Sequence, residues 1–228
     1  MSDLETITEL GNISTTINLD AGKHLALNLL QFDIKDFNTD ITINLVGEDA
    51  EVNVRALSFV VENQKISNKI QVNHLAPNCT SNVLYKYALG AKNSRASWAG
   101  NVKIDQGSKG TVTYEENRNL LLAKGARAIS EPNLEILEGD IISAGHASAT
   151  GRFDDEQIFY MQSRGIDKAT AKRLVVQGFF NSVLEEMDVD ADTLKDIHDF
   201  IERKLSQNEA WEIGQETKTT DNFKEEDA

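Results

Sequence analysis

At 228 residues the chain is long enough to bury a sizeable core and to carry a small appendage. Its formal net charge of −14 and isoelectric point near 4.7 argue against non-specific binding of nucleic acid or of anionic membrane surfaces; they suit a partner with a basic patch. A lone cysteine, Cys79, excludes an internal disulfide and a four-ligand zinc finger, and points to a reducing cytosol.

The start, Met1-Ser2-Asp3-Leu4-Glu5, has neither the basic opening nor the apolar block of a signal peptide. No apolar run approaches the roughly 20 residues of a membrane span. The expectation is a cytoplasmic protein. Met1 to Asp20 shows little apolar pattern, and the first apolar run is His24 to Leu30. Ile41, Ile43 and Leu45 then alternate as a strand, followed by a turn at Gly47-Glu48-Asp49. Val52 and Val54, Leu57 to Val61, Ile70 and Val72, Val83 to Leu89, Val102 and Ile104, and Val112 and Tyr114 continue the series. Many short strands without helices between them mean a sandwich, a barrel or a β-solenoid. The pattern alone does not decide, and the lack of a strict repeat favours a sandwich.

From Asn133 to Ser143 apolar and polar residues alternate, so that Leu134, Ile136 and Ile141 could share a buried face, with a turn at Gly139-Asp140. The period changes between Gly151 and Asp154. Asp154 is placed to cap a helix, with Gln157 completing a capping box and Ile158, Phe159 and Met161 as a turn of core residues. Gly165 ends that helix and Asp167 caps the next. In the second helix Ala171, Leu174, Val175, Gly178, Phe179 and Val183 recur on one face. The opposite face carries Lys168, Lys172, Arg173 and Gln177. A third helix starts near Asp190 or Asp192, with an apolar stripe of Leu194, Ile197, Ile201 and Leu205. Beyond Ser206 the chain is acidic and reads as mostly disordered, with Trp211 and Ile213 its only large apolar pair.

The division expected is a strand-rich core over 1–151, a helical subdomain over 152–205 and an acidic tail over 206–228. The abrupt change of period further suggests that the core does not need the helices for its own fold.

Motifs for chemistry are sparse. Gly90-Ala91-Lys92-Asn93-Ser94 lacks the second glycine and the spacing of a phosphate loop. No Ser-His-Asp set or HExxH occurs, and the four histidines at 24, 74, 146 and 198 are far apart in sequence. His146 is the one site candidate. It lies in a glycine- and serine-rich stretch read as a turn, and imidazole suits iron or a cluster edge. Cys79 reads as a buried inert thiol, and His74 and Asn78 as structural groups around Pro77. The adjacent carboxylates Glu115-Glu116 and Asp154-Asp155 make a weak case for a glycosidase cleft, because neighbours on a strand point apart.

Several ordered blocks carry a resemblance: HLAPNCTSN, WAGNVKI, NLLLAKGARAISEPNLEI, then GHASATG, FDDEQIFYMQSRGI and LVVQGFF. Together they cover about Leu45 to Met187, and in this order they resemble the SufB/SufD family of the Suf iron–sulfur cluster assembly machine. The resemblance is to a short SufD-like form. It implies a mainly β fold, a right-handed parallel β-helix followed by a small C-terminal helical subdomain. It also implies a non-enzymatic scaffold subunit with no tightly bound cofactor, through which iron or a cluster passes transiently. Its partners would be a SufC-like ATPase and either a SufB-like chain or a second copy of itself. The β-helix interface would involve Leu134, Ile136, Ile141 and Ser143; the ATPase would dock on Lys168, Lys172, Arg173, Gln177 and Phe180. His146 corresponds to a family histidine tied to cluster assembly. Here, however, Ala144 stands where many SufD-like chains carry cysteine, and Ala147 where SufB-like chains carry glutamate. The alternative is a stand-alone iron- or cluster-handling protein using His146.

Overall fold

A computed structural model describes residues 4–9, 12–32, 36–61, 63–187 and 189–207. The strands come first: β1 (Leu4–Glu9), β2 (Ile13–Leu19), β3 (His24–Gln31), β4 (Asp36–Leu45), β5 (Glu51–Val60), β6 (Lys65–His74), β7 (Thr80–Leu89), β8 (Arg95–Ile104), β9 (Val112–Leu121), β10 (Arg127–Ile136) and β11 (Ser143–Gly151). Three helices follow: α1 (Asp155–Ser163), α2 (Lys168–Leu184) and α3 (Ala191–Gln207). β1 and β2 lie in the segment where the apolar pattern is weakest; backbone pairing to β3 and β4 sets them.

Odd-numbered strands form one sheet in the order β1-β3-β5-β7-β9-β11, and even-numbered strands a second, β10-β8-β6-β4-β2. All of these pairings are parallel. A chain that alternates between two parallel sheets without crossover helices winds as a solenoid, so the β-helix is the fold and the sandwich reading is set aside. The repeat exists but lengthens: Ile13 pairs with Thr39, 26 positions on, and Arg95 with Arg127, 32 positions on. This drift hides the period from a search for a fixed repeat.

Period-two alternation puts every second side chain inside. Phe37, Ile41, Ile43 and Leu45 of β4 face Val52, Val54 and Ala56 of β5 in the first core. A polar group threads this interior. Asn68 Oδ1 accepts from Gln31 Nε2 at 2.9 Å and from Thr39 Oγ1 at 2.8 Å, while Asn68 Nδ2 donates to the Tyr87 hydroxyl. Buried amides persist at low cost when partnered in this way. At the corners, Asp49 and Asn78 have φ of 60° and 58°, the left-handed conformation that short polar side chains tolerate. Cys79 is buried below such a corner, and burial raises its thiol pKa.

The helix boundaries follow the caps read in the sequence. Asp154 accepts from the backbone N–H of Glu156 and Gln157, and Asp167 from those of Ala169 and Thr170. Gly165, at φ 86°, donates to Gln162 O and Ile166 to Met161 O, which closes α1 in a Schellman motif. Asp190 caps α3 through the N–H of Thr193 at 2.8 Å.

The helices are not an independent appendage. A second core joins Leu30, Leu57, Phe59, Val61, Ala88, Leu120 and Leu122 of the solenoid to Val176, Phe180, Val183, Leu184, Ile197, Phe200 and Ile201 of α2 and α3. Phe180 lies 5.8 Å from Phe32 and 5.9 Å from Phe59, centroid to centroid. The solenoid therefore buries one outer flank against the helices. The acidic tail read in the sequence lies outside the described residues from 208 onward.

Candidate functional site

The end of the solenoid at β10 and β11 is where the sequence candidates gather. β11 closes the six-stranded sheet and β10 the five-stranded one, so each has an edge that no strand among the described residues pairs with. Pro132, which has no N–H to donate, sits in β10, a position that suits an edge strand. Leu134, Ile141 and Ala144 pack partly against the first core, but Ile136 is exposed, as are Ile129, Leu137 and Ile142, the last at 74%. Ile136 thus does not share the buried face expected of it, because no further coil among the described residues stacks over β10. Ser143 opens β11 and is exposed.

His146 lies within strand β11 and not in a turn. Parallel pairing with β9 holds the small residues Ser143 to Gly151 extended, despite their weak strand preference. The register sets Ala144, His146, Ser148 and Thr150 against Thr113, Glu115, Asn117 and Asn119. Those four β9 residues are buried, so the interior beneath the last coil of this sheet is polar where the middle coils are mostly apolar. Asn119 Nδ2 is 2.7 Å from Asn117 Oδ1 and 3.0 Å from Thr150 Oγ1, and Ser130 donates to Asn117.

Glu115 has no such partners. Its side chain is 1% exposed, neither carboxylate oxygen makes a hydrogen bond, and its Oε1 lies 3.8 Å from His146 Nδ1. Burial pushes its pKa up to about 7; the Asn133 backbone N–H lies near enough to oppose this weakly but outside hydrogen-bond geometry. The His146 ring is 43% exposed and stands over it at the rim. Gly100 of β8 makes room for this side chain from the opposite sheet: a Cβ there would overlap the Trp98 ring and come within 2.5 Å of Glu115 Oε2. Trp98 is itself buried, with an unpartnered indole N–H.

Glu116 points outward and pairs with Arg118, and Asp154 is used as a helix cap. The adjacent carboxylates therefore form no cleft pair. Among the described residues no group of three His, Cys, Asp or Glu side chains gathers as a metal site. The other histidines are engaged elsewhere: His24 with Glu51, His198 with Asn181 and His74 with Ser81.

The helical candidates divide. Lys168 is exposed and Arg173 half-buried. Lys172 is buried with its ammonium 4.9 Å from the centre of the Phe153 ring, and burial lowers its pKa to about 8. Gln177 donates to Glu202 on α3, and Phe180 is completely buried in the second core. These three do not form an open docking face. Conversely Phe159, expected in the core, is exposed at 71%, its neighbour Tyr160 at 60%, and Leu174 of α2, expected on the apolar face, is exposed too. Ile158 is the buried residue of α1.

Sequence reasoning missed this role of Glu115 because the apolar alternation of β9, Val112 and Tyr114, lies on the opposite, outward face and points to the wrong phase. Its one available signal was phase: Thr113, Glu115, Asn117 and Asn119 occupy alternate positions.

Comparison with known proteins agrees with the fold. The family described as SUF system FeS cluster assembly, SufBD core domain, matches residues 7–179. An iron–sulfur cluster assembly SufBD family protein of Mycobacterium tuberculosis (strain ATCC 25618 / H37Rv) is 46% identical over 167 residues, 71% of this chain and 42% of that protein. One from Mycobacterium leprae (strain TN) is 47% identical over 149 residues, 63% of this chain and 38% of that protein. The iron–sulfur cluster assembly protein SufD of Escherichia coli (strain K12) is 31% identical over 150 residues, 66% of this chain and 34% of that protein. The chain spans less than half the length of each of these relatives. With a family match running from the first strand into the second helix, and a parallel solenoid beneath it, the chain belongs to the SufBD family of iron–sulfur cluster assembly proteins.

Proposed function

We propose that this chain is a non-catalytic scaffold subunit in iron–sulfur cluster assembly, cytoplasmic, pairing through the open end of its solenoid and docking a SufC-like ATPase on its helices. The observation that carries the reading is the end coil. Two edge strands finish there, and Ile129, Ile136, Leu137 and Ile142 stand exposed around them. Edge strands with apolar neighbours are templates for another chain. The occupant is a SufB-like chain or a second copy of this one.

The ATPase surface is redrawn from the geometry. Phe159, Tyr160 and Leu174, with Lys168 and Arg173, replace the buried Lys172, Gln177 and Phe180. A stable complex of this kind buries on the order of 1,200–2,000 Å² in total. The test is gel filtration of the full chain with a SufC-like ATPase, beside a Phe159→Ala/Leu174→Ala variant. Co-elution lost in the variant supports the reading. Co-elution unchanged moves the docking site elsewhere, and no complex with the intact chain removes it. Light scattering of the chain alone at tens of micromolar separates self-pairing from a need for a different chain.

A second reading, a role in handling iron or a cluster through His146, is favoured by one observation: the unpartnered buried carboxylate beside that ring.

A further inference from the structure

We propose that Glu115 is a direct donor to a divalent cation that it holds jointly with His146 at the rim of the last coil. The inference deepens the iron-handling reading of His146 and rests on it.

Buried polar groups are nearly always hydrogen-bonded, and a buried carboxylate with both oxygens unpartnered is a costly exception. The cost is explained if the side chain is kept for a cation. The separation fits. At 3.8 Å, Oε1 and Nδ1 are too far apart for a hydrogen bond, yet two donors each about 2.0–2.2 Å from one ion span such a distance at an open angle. The fold makes the pair deliberately close. His146 and Glu115 are direct partners in the β11–β9 register, and Gly100 leaves the space into which the carboxylate reaches. The exposed ring gives an ion a route in from solvent, and the acid lies beneath it.

One imidazole and one carboxylate suit borderline divalent ions such as Fe²⁺, Zn²⁺ or Co²⁺. This chain supplies two donors, so further positions are open to water or to a facing chain. Incomplete coordination suits an ion that is passed on more than one that stays.

The test uses Co²⁺ alone as the probe, titrated into the full chain and followed by its visible absorption. The wild-type chain is expected to take one equivalent, and Glu115→Gln and His146→Ala each to bind at least tenfold more weakly with unchanged circular dichroism. Glu115→Asp, which keeps the acid but shortens its reach, is the second variant should the glutamine chain not fold, and it too is expected to weaken binding. If the Glu115 variants bind like wild type while His146→Ala does not, the proposal for Glu115 is overturned and the role of His146 stands. If His146→Ala also binds like wild type, or the wild-type chain takes no Co²⁺, both fall.

Discussion

The ammonium of Lys86, on the outer face of β7, lies 2.6 Å from the Ser182 hydroxyl near the end of α2. The same group donates to the Phe179 carbonyl at 3.3 Å and sits 5.0 Å from the centre of the Phe179 ring. Burial lowers its pKa, with Arg118 adding repulsion. One lysine thus ties the six-stranded sheet to the second helix. Hydrogen bonds to a charged group are worth about 1.5–3 kcal/mol each. Lys86→Met is expected to destabilise the chain by about 1–3 kcal/mol, because the methionine keeps the packing and loses both bonds, while relief from burying the charge offsets part of their worth. Urea unfolding checks this, and amide exchange should show the loss concentrated in the C-terminal part of α2.

Phe180 is the centre of the core shared by strands and helices. Phe180→Ala should cost about 3–5 kcal/mol. By the same reasoning, a chain ending at Gly151 should not behave as a folded monomer. It would expose Leu30, Leu57, Phe59, Val61, Leu120 and Leu122 as one apolar flank. Circular dichroism and light scattering of that truncation decide it: a soluble, cooperatively unfolding monomer would contradict the shared core.

His74 is wholly buried and donates to or accepts from Ser81 at 2.8 Å, and burial holds its pKa down at about 4. Above pH 6.5 the ring is neutral in both folded and unfolded chains, and its protonation contributes nothing. As pH falls below 6.5 the unfolded chain takes up a proton that the folded chain refuses. Stability drops until about pH 4, where the folded ring also protonates. The full loss is about 3 kcal/mol at roughly 1.4 kcal/mol per pH unit. Denaturant midpoints between pH 7 and pH 4 should show this decline in the wild-type chain and a shallower one in His74→Asn.

Gly100 lies against both Trp98 and Glu115. Gly100→Ala would set a methyl group on the indole edge and the carboxylate. Overpacking of this kind costs about 1–3 kcal/mol. The thermal midpoint should fall, and near-ultraviolet circular dichroism should report a disturbed Trp98.

Much of this fold was legible in the residues. Alternation marks β4 to β8, and Asp154, Gly165, Asp167 and Asp190 set the helix ends. Their signals are local: a cap is a side chain bonding its own next turn. The solenoid was not legible from pattern, because the coil-to-coil offset grows from 20 residues between β1 and β3 to 32 between β8 and β10. The family resemblance supplied it. The faces of α2 were misread for a different reason. Lys172 can be buried with its ammonium over the Phe153 ring, so residue type alone places it wrongly. Phe159 reads as core and is exposed, since the sequence does not show that α1 meets the rest of the protein through Ile158. Of the end site, His146 was legible as a chemical type, while its partner Glu115 was concealed in a strand whose apolar residues, Val112 and Tyr114, lie on the other face.

Pro132 carries a consequence for assembly. A bare solenoid rim could in principle take on strand after strand, since each added strand would offer a fresh rim. The terminal strand of the five-stranded sheet lacks an amide hydrogen at its midpoint. Any strand laid along that rim forfeits a ladder bond that it would need for open-ended growth. Association at this end is therefore tilted toward a closed pair held by side chains and by the neighbouring β11, and away from polymerisation.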